Sequence, residues 1–215
     1  MLPKFKSVLC LNGRLPDKSL FVEYQAQGLT LIAADGASNK LINKGITPDF
    51  IIGDLDSIDK KHLTAKCNII HIADQETTDF EKCLAEMENR SLFPSLVLGM
   101  AGGEVDHTIY NLNCFMRYAK EQMLVFLDID ENNRIKWGFP VFSEKQIIGK
   151  TNTTISLLPF PMAFVSTTGL KWNMKKALLS VLATSSIRNI VSNEIATIQV
   201  FSGDLLVILD GALEN

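Results

Sequence analysis

The segment from position 48 to 58 reads PDFIIGDLDSI and combines a short strand with an acidic turn. Positions 50–52 form an apolar run typical of a buried strand. Asp54 and Asp56 follow at once, on alternating positions of an extended turn, so both carboxylates can point toward one cation. Hard oxygen ligands of this kind suit Mg²⁺. A surface turn is also rich in Asp and Ser, so this segment alone leaves a plain turn as a serious alternative.

The first half of the chain alternates short apolar runs with longer amphipathic ones, a pattern typical of β-α units. It predicts an α/β domain with a mainly parallel, Rossmann-like sheet. The clearest helix is predicted at 78–89, where apolar residues recur at helical spacing and Thr78 with Glu81 forms a capping box. The other predicted helices are 38–44, 59–65 and 107–120, and the predicted strands are 6–11, 30–34, 50–52, 68–71 and 95–99.

Beyond about Gln122 the pattern changes to short β-prone runs separated by Asn, Gly and Pro, which predicts an antiparallel β-sandwich or roll. We place the boundary between Lys120 and Met123, giving domains 1–121 and 122–215. Hairpin turns are predicted at 132–133 and 202–204. The predicted strands are 123–127, 134–137, 146–148, 153–158, 163–166, 196–201 and 205–209.

Composition excludes several classes of protein. The formal net charge of −3, without a Lys/Arg-rich block, argues against nucleic acid as a partner. No apolar stretch approaches the roughly 20 residues that span a bilayer, so no membrane association is expected. The four cysteines are widely spaced, which indicates reduced thiols rather than a zinc site. Because the first residues lack the pattern of a secretory signal, we expect a cytoplasmic protein.

Polar residues that follow predicted strands have special weight, because ligands collect at the carboxyl ends of strands in open α/β sheets. Asp35 and Asn39 lie in the turn DGASN, which opens a helix whose N–H groups could receive a phosphate or ribose. Simple helix capping by Asp35 or Ser38 is an equal alternative.

Two more such places follow the fourth and fifth strands. The segment 74–79, DQETTD, gathers three acids ahead of a helix, and Asp79 there is either a metal ligand or a complement to the helix dipole. The segment 99–107, GMAGGEVDH, is a glycine-rich loop with room for phosphate, but it lacks the Lys of a Walker loop. The residues alone leave His107 undecided between a general base, a phosphate donor and a capping partner of Asp106.

Four segments, DGASNKL, PDFIIGDLDSI, DQETTDFEKCL and GGEVDHTIYNL, resemble the thiamine pyrophosphokinase family in their order and separation. ISLLPF, TGLKWNM and VSNE extend the resemblance over nearly the whole chain. It implies an α/β nucleotide- and Mg²⁺-binding domain, a β-sandwich domain for thiamine binding and dimerisation, and a homodimer. The implied reaction transfers pyrophosphate from ATP to thiamine, giving thiamine diphosphate and AMP.

The resemblance also implies roles for individual residues. Asp54, Asp56 and Asp79 match the carboxylates that bind Mg²⁺. The remaining matches are Asp35, Asn39 and Thr78 on the nucleotide side, Gly102, Gly103, Asp106 and His107 in the phosphate loop, and Trp172, Ser192 and Asn193 for thiamine. An aromatic face against a cationic thiazolium also fits the preference of cations for Trp.

One position departs from the family pattern: Glu104 stands where the family usually has a basic residue. A negative charge beside a triphosphate weakens binding unless another cation compensates, and Lys82, Lys171 and Arg188 are the candidates. Glu104 leaves open a thiamine- or nucleotide-binding regulatory protein that has lost activity. The acidic cluster leaves open a Mg²⁺-dependent phosphohydrolase, since such a cluster can activate water. A third alternative is a structural α/β protein whose acids are solvated loop residues.

Overall fold

The computed structural model describes residues 3–59, 67–132 and 134–211. The chain divides into two compact units, residues 1–129 and 130–215. This division lies later than the boundary expected between Lys120 and Met123. The difference comes from β6 (Leu124–Ile129), which pairs in parallel with β5 (Ser95–Leu98) and so belongs to the first sheet.

The first unit contains a parallel sheet in the order β6-β5-β1-β2-β3-β4. Every pairing in this sheet is parallel. Its central strands are fully buried because their apolar runs are covered on both faces, as in other parallel sheets. Besides β5 and β6, the strands are β1 (Ser7–Cys10), β2 (Thr30–Ala34), β3 (Phe50–Gly53) and β4 (Asn68–His71). The α/β prediction for this half is confirmed.

Four described helices accompany this sheet: α1 (Lys18–Ala26), α2 (Ala37–Asn43), α3 (Asp79–Asn89) and α4 (Val105–Tyr118). Three of them agree with predicted helices to within about two residues. The sequence did not predict α1, because Phe21 is its one fully buried side chain and the helix therefore has no clear apolar stripe. The helix predicted at 59–65 lies largely outside the described residues.

The second unit is built from antiparallel strands: β7 (Ile135–Val141), β8 (Glu144–Ile148), β9 (Thr154–Thr168), β10 (Ala177–Ser180), β11 (Ser186–Ile190) and β12 (Ile195–Asp210). The long strands β9 and β12 pair with each other along most of their length. Strand β9 also pairs with β10 and β11, whereas β12 also pairs with β7 and β8. This confirms the prediction of antiparallel strands in the second half.

The predicted hairpin turn at Ser202, Gly203 and Asp204 is wrong, because β12 continues through it as one strand. The pairing register with β9 shifts on both sides of Gly203, as at a β-bulge. Gly203 has φ +81°, and a Cβ there would lie 2.1 Å from the Met162 carbonyl oxygen. Glycine is thus required by a bulge and a close backbone approach. The predicted strands 153–158 and 163–166 are likewise parts of one strand, β9. Strands β10 and β11 were not predicted. The other predicted turn, at 132–133, includes Asn133, which lies outside the described residues.

Within the described residues, no helix is long and apolar enough to span a bilayer.

Candidate active site

The candidate site is a cleft of about 530 Å³ at the carboxyl edge of the parallel sheet. The loops that follow β1, β2 and β3 form one side of it, through Asn12, Gly36 and Asp54. The first turns of α3 and α4 contribute the other side, through residues that include Asp79 and His107. The strand ends thus bring together segments that are nearly 100 positions apart in the sequence, as open α/β sheets do.

Three carboxylates converge in this region. Asp35, Asp54 and Asp56 each place one oxygen within 4.8 Å of the others. Oxygens that bind one Mg²⁺ at about 2.1 Å lie at most about 4.2 Å apart, so small side-chain rotations would bring all three onto one ion. Asp35 was predicted on the nucleotide side, and the structure adds it to the acidic pair after β3.

Asp35 is the buried member of this cluster. It is 1% exposed, and its Oδ2 accepts a hydrogen bond from the Ser57 amide at 3.2 Å. Its Oδ1 is buried and has no hydrogen-bond partner among the described residues. Burial is the main factor that raises the pKa of Asp35 to about 6, and the carboxylates of Asp79, Asp54 and Asp56 add to the rise. A buried carboxylate oxygen without a protein partner is available to an ion or a water molecule.

Asp79 has a different neighbour. Its Oδ1 accepts a hydrogen bond from the Lys82 ammonium at 3.2 Å, and the same ammonium lies 3.6 Å from Asp54 Oδ2. Burial raises the pKa of Asp79, and Lys82 opposes this rise. The carboxylate oxygens that lie within 4.8 Å of one another are those of Asp35, Asp54 and Asp56, whereas the sequence predicted Asp54, Asp56 and Asp79 as ligands. The metal role of Asp79 stays a prediction.

Gly53 makes the close approach of these acids feasible. A Cβ at this position would lie 2.7 Å from Asp35 Cβ and 3.0 Å from Asp79 Oδ1. Any larger residue at the end of β3 would push these two side chains apart. The glycine before the acidic turn is therefore part of the site.

The carboxylate of Glu81 connects the two helices that begin at the cleft. Its Oε2 accepts hydrogen bonds from the Thr78 amide and from the Tyr110 hydroxyl of α4, at 3.0 and 3.2 Å. Its Oε1 accepts from the guanidinium of Arg117, also in α4. Burial disfavours ionisation of Glu81, but the hydrogen bonds from Thr78, Arg117 and Tyr110 outweigh it and lower the pKa. These bonds fix the relative position of the two helix N-termini.

The N-terminus of α4 is open toward the cleft. Glu104 is its N-cap residue and makes no side-chain capping hydrogen bond. Asp106 and His107 line the cleft, and Asp106 Oδ1 accepts from the His107 amide at 2.8 Å. Glu104 is exposed and is not among the cleft-lining residues.

The glycines of the loop after β5 contact the loop after β1 instead of the cleft. Gly102 has φ +89°, and a Cβ there would lie 2.8 Å from Arg14 Cβ. The Arg14 amide donates to the Ala101 carbonyl at 2.7 Å, and the Arg14 guanidinium donates to the Ile129 carbonyl at 3.1 Å. Gly102 and Gly103 do not line the cleft, so their role toward phosphate stays a prediction. The cation beside this loop is Arg14, which the sequence did not single out.

Asn39 supports the acidic turn from α2. Its side chain donates to the Ser57 carbonyl at 2.7 Å and accepts from the Asp59 amide at 3.0 Å. Asn39 thus holds the segment that carries Asp56, although it does not line the cleft. Ser38 is fully buried.

Several cleft residues were missed by the sequence reading, among them Asn12, Ser57, Tyr110 and Asn111. Tyr110 and Asn111 had a detectable signal, because each lies four positions after Asp106 or His107 on the same helical face. No sequence pattern identified Asn12. The contact that holds it comes from a residue distant in sequence, Lys40, whose ammonium donates to the carbonyls of Asn12 and Gly13.

In the second unit, the residues predicted to bind thiamine lie in adjacent segments. Leu170 forms a β-bridge with Val191, and the amides of Ser192 and Asn193 donate to the Gly169 carbonyl at 2.8 and 3.2 Å. Trp172 is 56% exposed, and the Lys171 ammonium lies 4.7 Å from its ring centroid. An accessible indole can accept a cationic ring on the face that Lys171 does not occupy.

Comparison with known proteins gives consistent matches. Residues 21–127 match the family model "Thiamin pyrophosphokinase, catalytic domain", and residues 144–205 match "Thiamin pyrophosphokinase, vitamin B1 binding domain". The chain is 31% identical to thiamin pyrophosphokinase 1 of Caenorhabditis elegans over 183 residues, which cover 79% of this chain and 73% of the relative. It is 26% identical to thiamine pyrophosphokinase 3 of Oryza sativa subsp. japonica, covering 94% and 85% of the two chains.

Solved structures share the fold. The yeast thiamin pyrophosphokinase structure superposes with a TM-score of 0.79 at 22% identity, covering 97% of this chain and 87% of the other. The structure of thiamine pyrophosphokinase from Bacillus subtilis gives a TM-score of 0.76 at 20% identity, covering 97% and 100%. The fold described above is therefore one that solved pyrophosphokinases adopt.

Proposed function

The chain belongs to the thiamin pyrophosphokinase family, and from this premise we propose that the cleft of its first unit holds Mg²⁺ and ATP during pyrophosphoryl transfer to thiamine. The products are thiamine diphosphate and AMP. The observation that carries the proposal is the convergence of Asp35, Asp54 and Asp56 beside the N-termini of α3 and α4.

The donor set of the cleft fits Mg²⁺. Three carboxylates supply hard oxygen ligands, and the buried Oδ1 of Asp35 has no hydrogen-bond partner among the described residues. Asp35, Asp54 and Asp56 would hold the ion, and Gly53 allows them to approach one another. When bound, Mg²⁺ would neutralise phosphate charge and help to align the donor and acceptor oxygens.

We assign phosphate binding to the N-terminus of α4 and to Lys82. A helix N-terminus presents N–H groups and a partial positive charge. The N-cap residue Glu104 occupies none of the N–H groups of α4 with its side chain, whereas Asp106 accepts a hydrogen bond from the His107 amide. His107 at this end can donate a hydrogen bond to a phosphate oxygen. Glu81 accepts hydrogen bonds from Thr78 at the start of α3 and from Tyr110 in α4, and these bonds hold the two helix N-termini beside the same ligand.

We assign thiamine binding to the segment around Trp172 in the second unit. The exposed indole offers a face for cation–π contact with the thiazolium, and such contacts are strongest with Trp. Ser192 and Asn193 lie next to the same segment through their amides' hydrogen bonds to Gly169 and supply polar side chains.

We also propose a homodimer that forms through an apolar patch on β9, β10 and β12. Met162, Leu178 and Phe201 are exposed there, and the rings of Phe164 and Phe201 lie 5.7 Å apart. Exposed apolar groups that adjoin one another in this way are typical of protein interfaces.

The unpaired state of all four cysteines fits a reducing compartment, and the cytoplasm is our proposal for the location.

The direct test is AMP release by the purified protein with ATP and Mg²⁺, with and without thiamine and with EDTA as control. We expect AMP and thiamine diphosphate in equal amounts, dependent on both thiamine and Mg²⁺. Phosphate release without thiamine would instead identify a phosphohydrolase. Stabilisation by thiamine without any AMP would identify a binding protein, and no effect of any ligand on melting would leave a structural role.

A further inference from the structure

Lys82 is a buried cation inside the acidic cleft. The residue is 4% exposed, and its ammonium lies 3.2 Å from Asp79 and 3.6 Å from Asp54. The Lys82 ammonium thus lies between two of the acids and offsets part of their mutual repulsion.

Asp54 belongs to two interactions at once. It contributes an oxygen to the group with Asp35 and Asp56, and its Oδ2 also lies 3.6 Å from the Lys82 ammonium. The side-chain Nε2 of Gln75 donates to the same Oδ2 at 2.8 Å. A dication bound to Asp54 would thus lie close to the Lys82 ammonium, and like charges repel each other in a partly buried site.

The ammonium of Lys82 is tethered but movable. The backbone of Lys82 is fixed in the first turn of α3, where its amide donates to the Thr78 carbonyl at 3.0 Å. Its flexible four-carbon stem allows the charge to turn from Asp79 toward another anion in the cleft. Lys82 itself lines that cleft, so a triphosphate bound there would be within its reach.

We propose that Lys82 is a tethered counter-ion that competes with free Mg²⁺ for the carboxylate cluster and yields to the metal when a nucleoside triphosphate engages its ammonium. This inference rests on the metal site proposed above. It makes the cleft a poor site for the metal alone and a good site for metal and triphosphate together. Lys82 thereby couples the two binding events.

The test measures binding instead of turnover. Mn²⁺ would be titrated into the protein without nucleotide or thiamine, with free Mn²⁺ followed by electron paramagnetic resonance. For Lys82→Met we expect at least about tenfold tighter Mn²⁺ binding than in the wild type, because a nearby positive charge is gone. Lys82→Arg keeps the charge and is expected to bind Mn²⁺ as weakly as the wild type.

The same variant should show the opposite effect on the nucleotide. With EDTA present, Lys82→Met is expected to bind α,β-methylene-ATP at least about fivefold more weakly, because a charge-assisted contact is lost. A variant with general damage to the fold would lose affinity for both ligands. Lys6→Met is the matched control, because Lys6 donates to the Ser91 carbonyl at the other end of β1. It should change neither affinity.

Equal Mn²⁺ affinity in the wild type and Lys82→Met would overturn the proposal, as would unchanged affinity for the analogue. If Lys82→Met does not fold, the pair Asp79→Asn with Lys82→Met removes both charges, and it should bind Mn²⁺ more tightly than Asp79→Asn alone. Failure of the proposed function is detected separately, by the absence of thiamine-dependent AMP release. The Mn²⁺ titration does not require turnover and can still be carried out on such a protein.

Discussion

Thr78 and Glu81 form a reciprocal pair at the start of α3. The Thr78 amide donates to Glu81 Oε2 at 3.0 Å, and the Glu81 amide donates to Thr78 Oγ1 at 3.4 Å. This capping box satisfies two amides that an open helix end would leave unpaired. Because Asp79 and Lys82 lie in the same turn, the geometry of the cleft depends on it.

We expect Thr78→Ala to lower the free energy of unfolding by about 1 kcal/mol, the usual cost of losing a helix N-cap. Urea denaturation followed by circular dichroism measures this change. Thr78→Ser keeps the hydroxyl and is the matched control. Equal destabilisation by Ala and Ser would show that the Thr78 methyl group, and not the cap, supplies the stability.

The carboxylate cluster yields a prediction on activity. Asp56 is exposed, so Asp56→Asn should leave the melting temperature within about 2 °C while reducing thiamine-dependent AMP release at least about a hundredfold. Asp17→Asn removes the same charge at the start of α1, where Asp17 makes no side-chain cap, and should keep wild-type turnover. Wild-type rates for Asp56→Asn at saturating Mg²⁺ would remove Asp56 from the metal site.

Glu104 is exposed next to the open end of α4, and its charge opposes that of a bound triphosphate. We expect Glu104→Arg to lower the KM for ATP about two- to fivefold with little change in kcat, because the effect is long-range and partly screened. Glu104→Gln should give an intermediate value. The difference should shrink in about 0.5 M salt, and a salt-independent change would instead indicate a direct contact.

The lowered pKa of Asp130, in the second unit, makes the stability of the protein depend on pH. Burial opposes ionisation of Asp130, but the amides of Arg134 and Asn132 and the Arg134 guanidinium outweigh it and lower the pKa. A lowered pKa in the folded state gives stability that is complete above the unfolded pKa and is lost as pH falls through the folded one. Asp130→Asn should therefore be less stable at pH 7 and should lose less stability on acidification.

The measurement for Asp130 is the urea midpoint of both proteins from pH 7 to pH 3. The two midpoints should converge as the pH falls. Parallel curves over this range would show that ionised Asp130 makes no net contribution to stability.

The apolar patch on the second unit predicts the oligomeric state. Leu178→Asp places a charge in this patch and should convert a dimer into a monomer, as measured by light scattering after size-exclusion chromatography. Val22→Asp changes another exposed apolar residue, in α1 of the first unit, and should leave the dimer intact. A wild-type monomer at micromolar concentration would refute the proposed dimer.

Much of the first unit could be predicted from the sequence, because local patterns determine it. The apolar runs of β1, β2, β3 and β5 are continuous, and α3 carries both an apolar stripe and its own capping box. The weakly patterned α1 was missed, and in the second unit β9 and β12 were each divided in two. Gly203 resembles a turn residue in the sequence, whereas its function is to allow a bulge beside Met162.

The sequence by itself determined most strands and helices of the first unit and the acids that follow β2, β3 and β4, since these depend on neighbours a few positions away. Only the tertiary structure decided how the acids are grouped. It joins Asp35 to Asp54 and Asp56 because Gly53 lets adjacent strand ends approach, and it brings Lys82 of α3 within 3.6 Å of Asp54 after β3. Grouping depends on distances between side chains from separate strands, and spacing along the chain does not encode those distances.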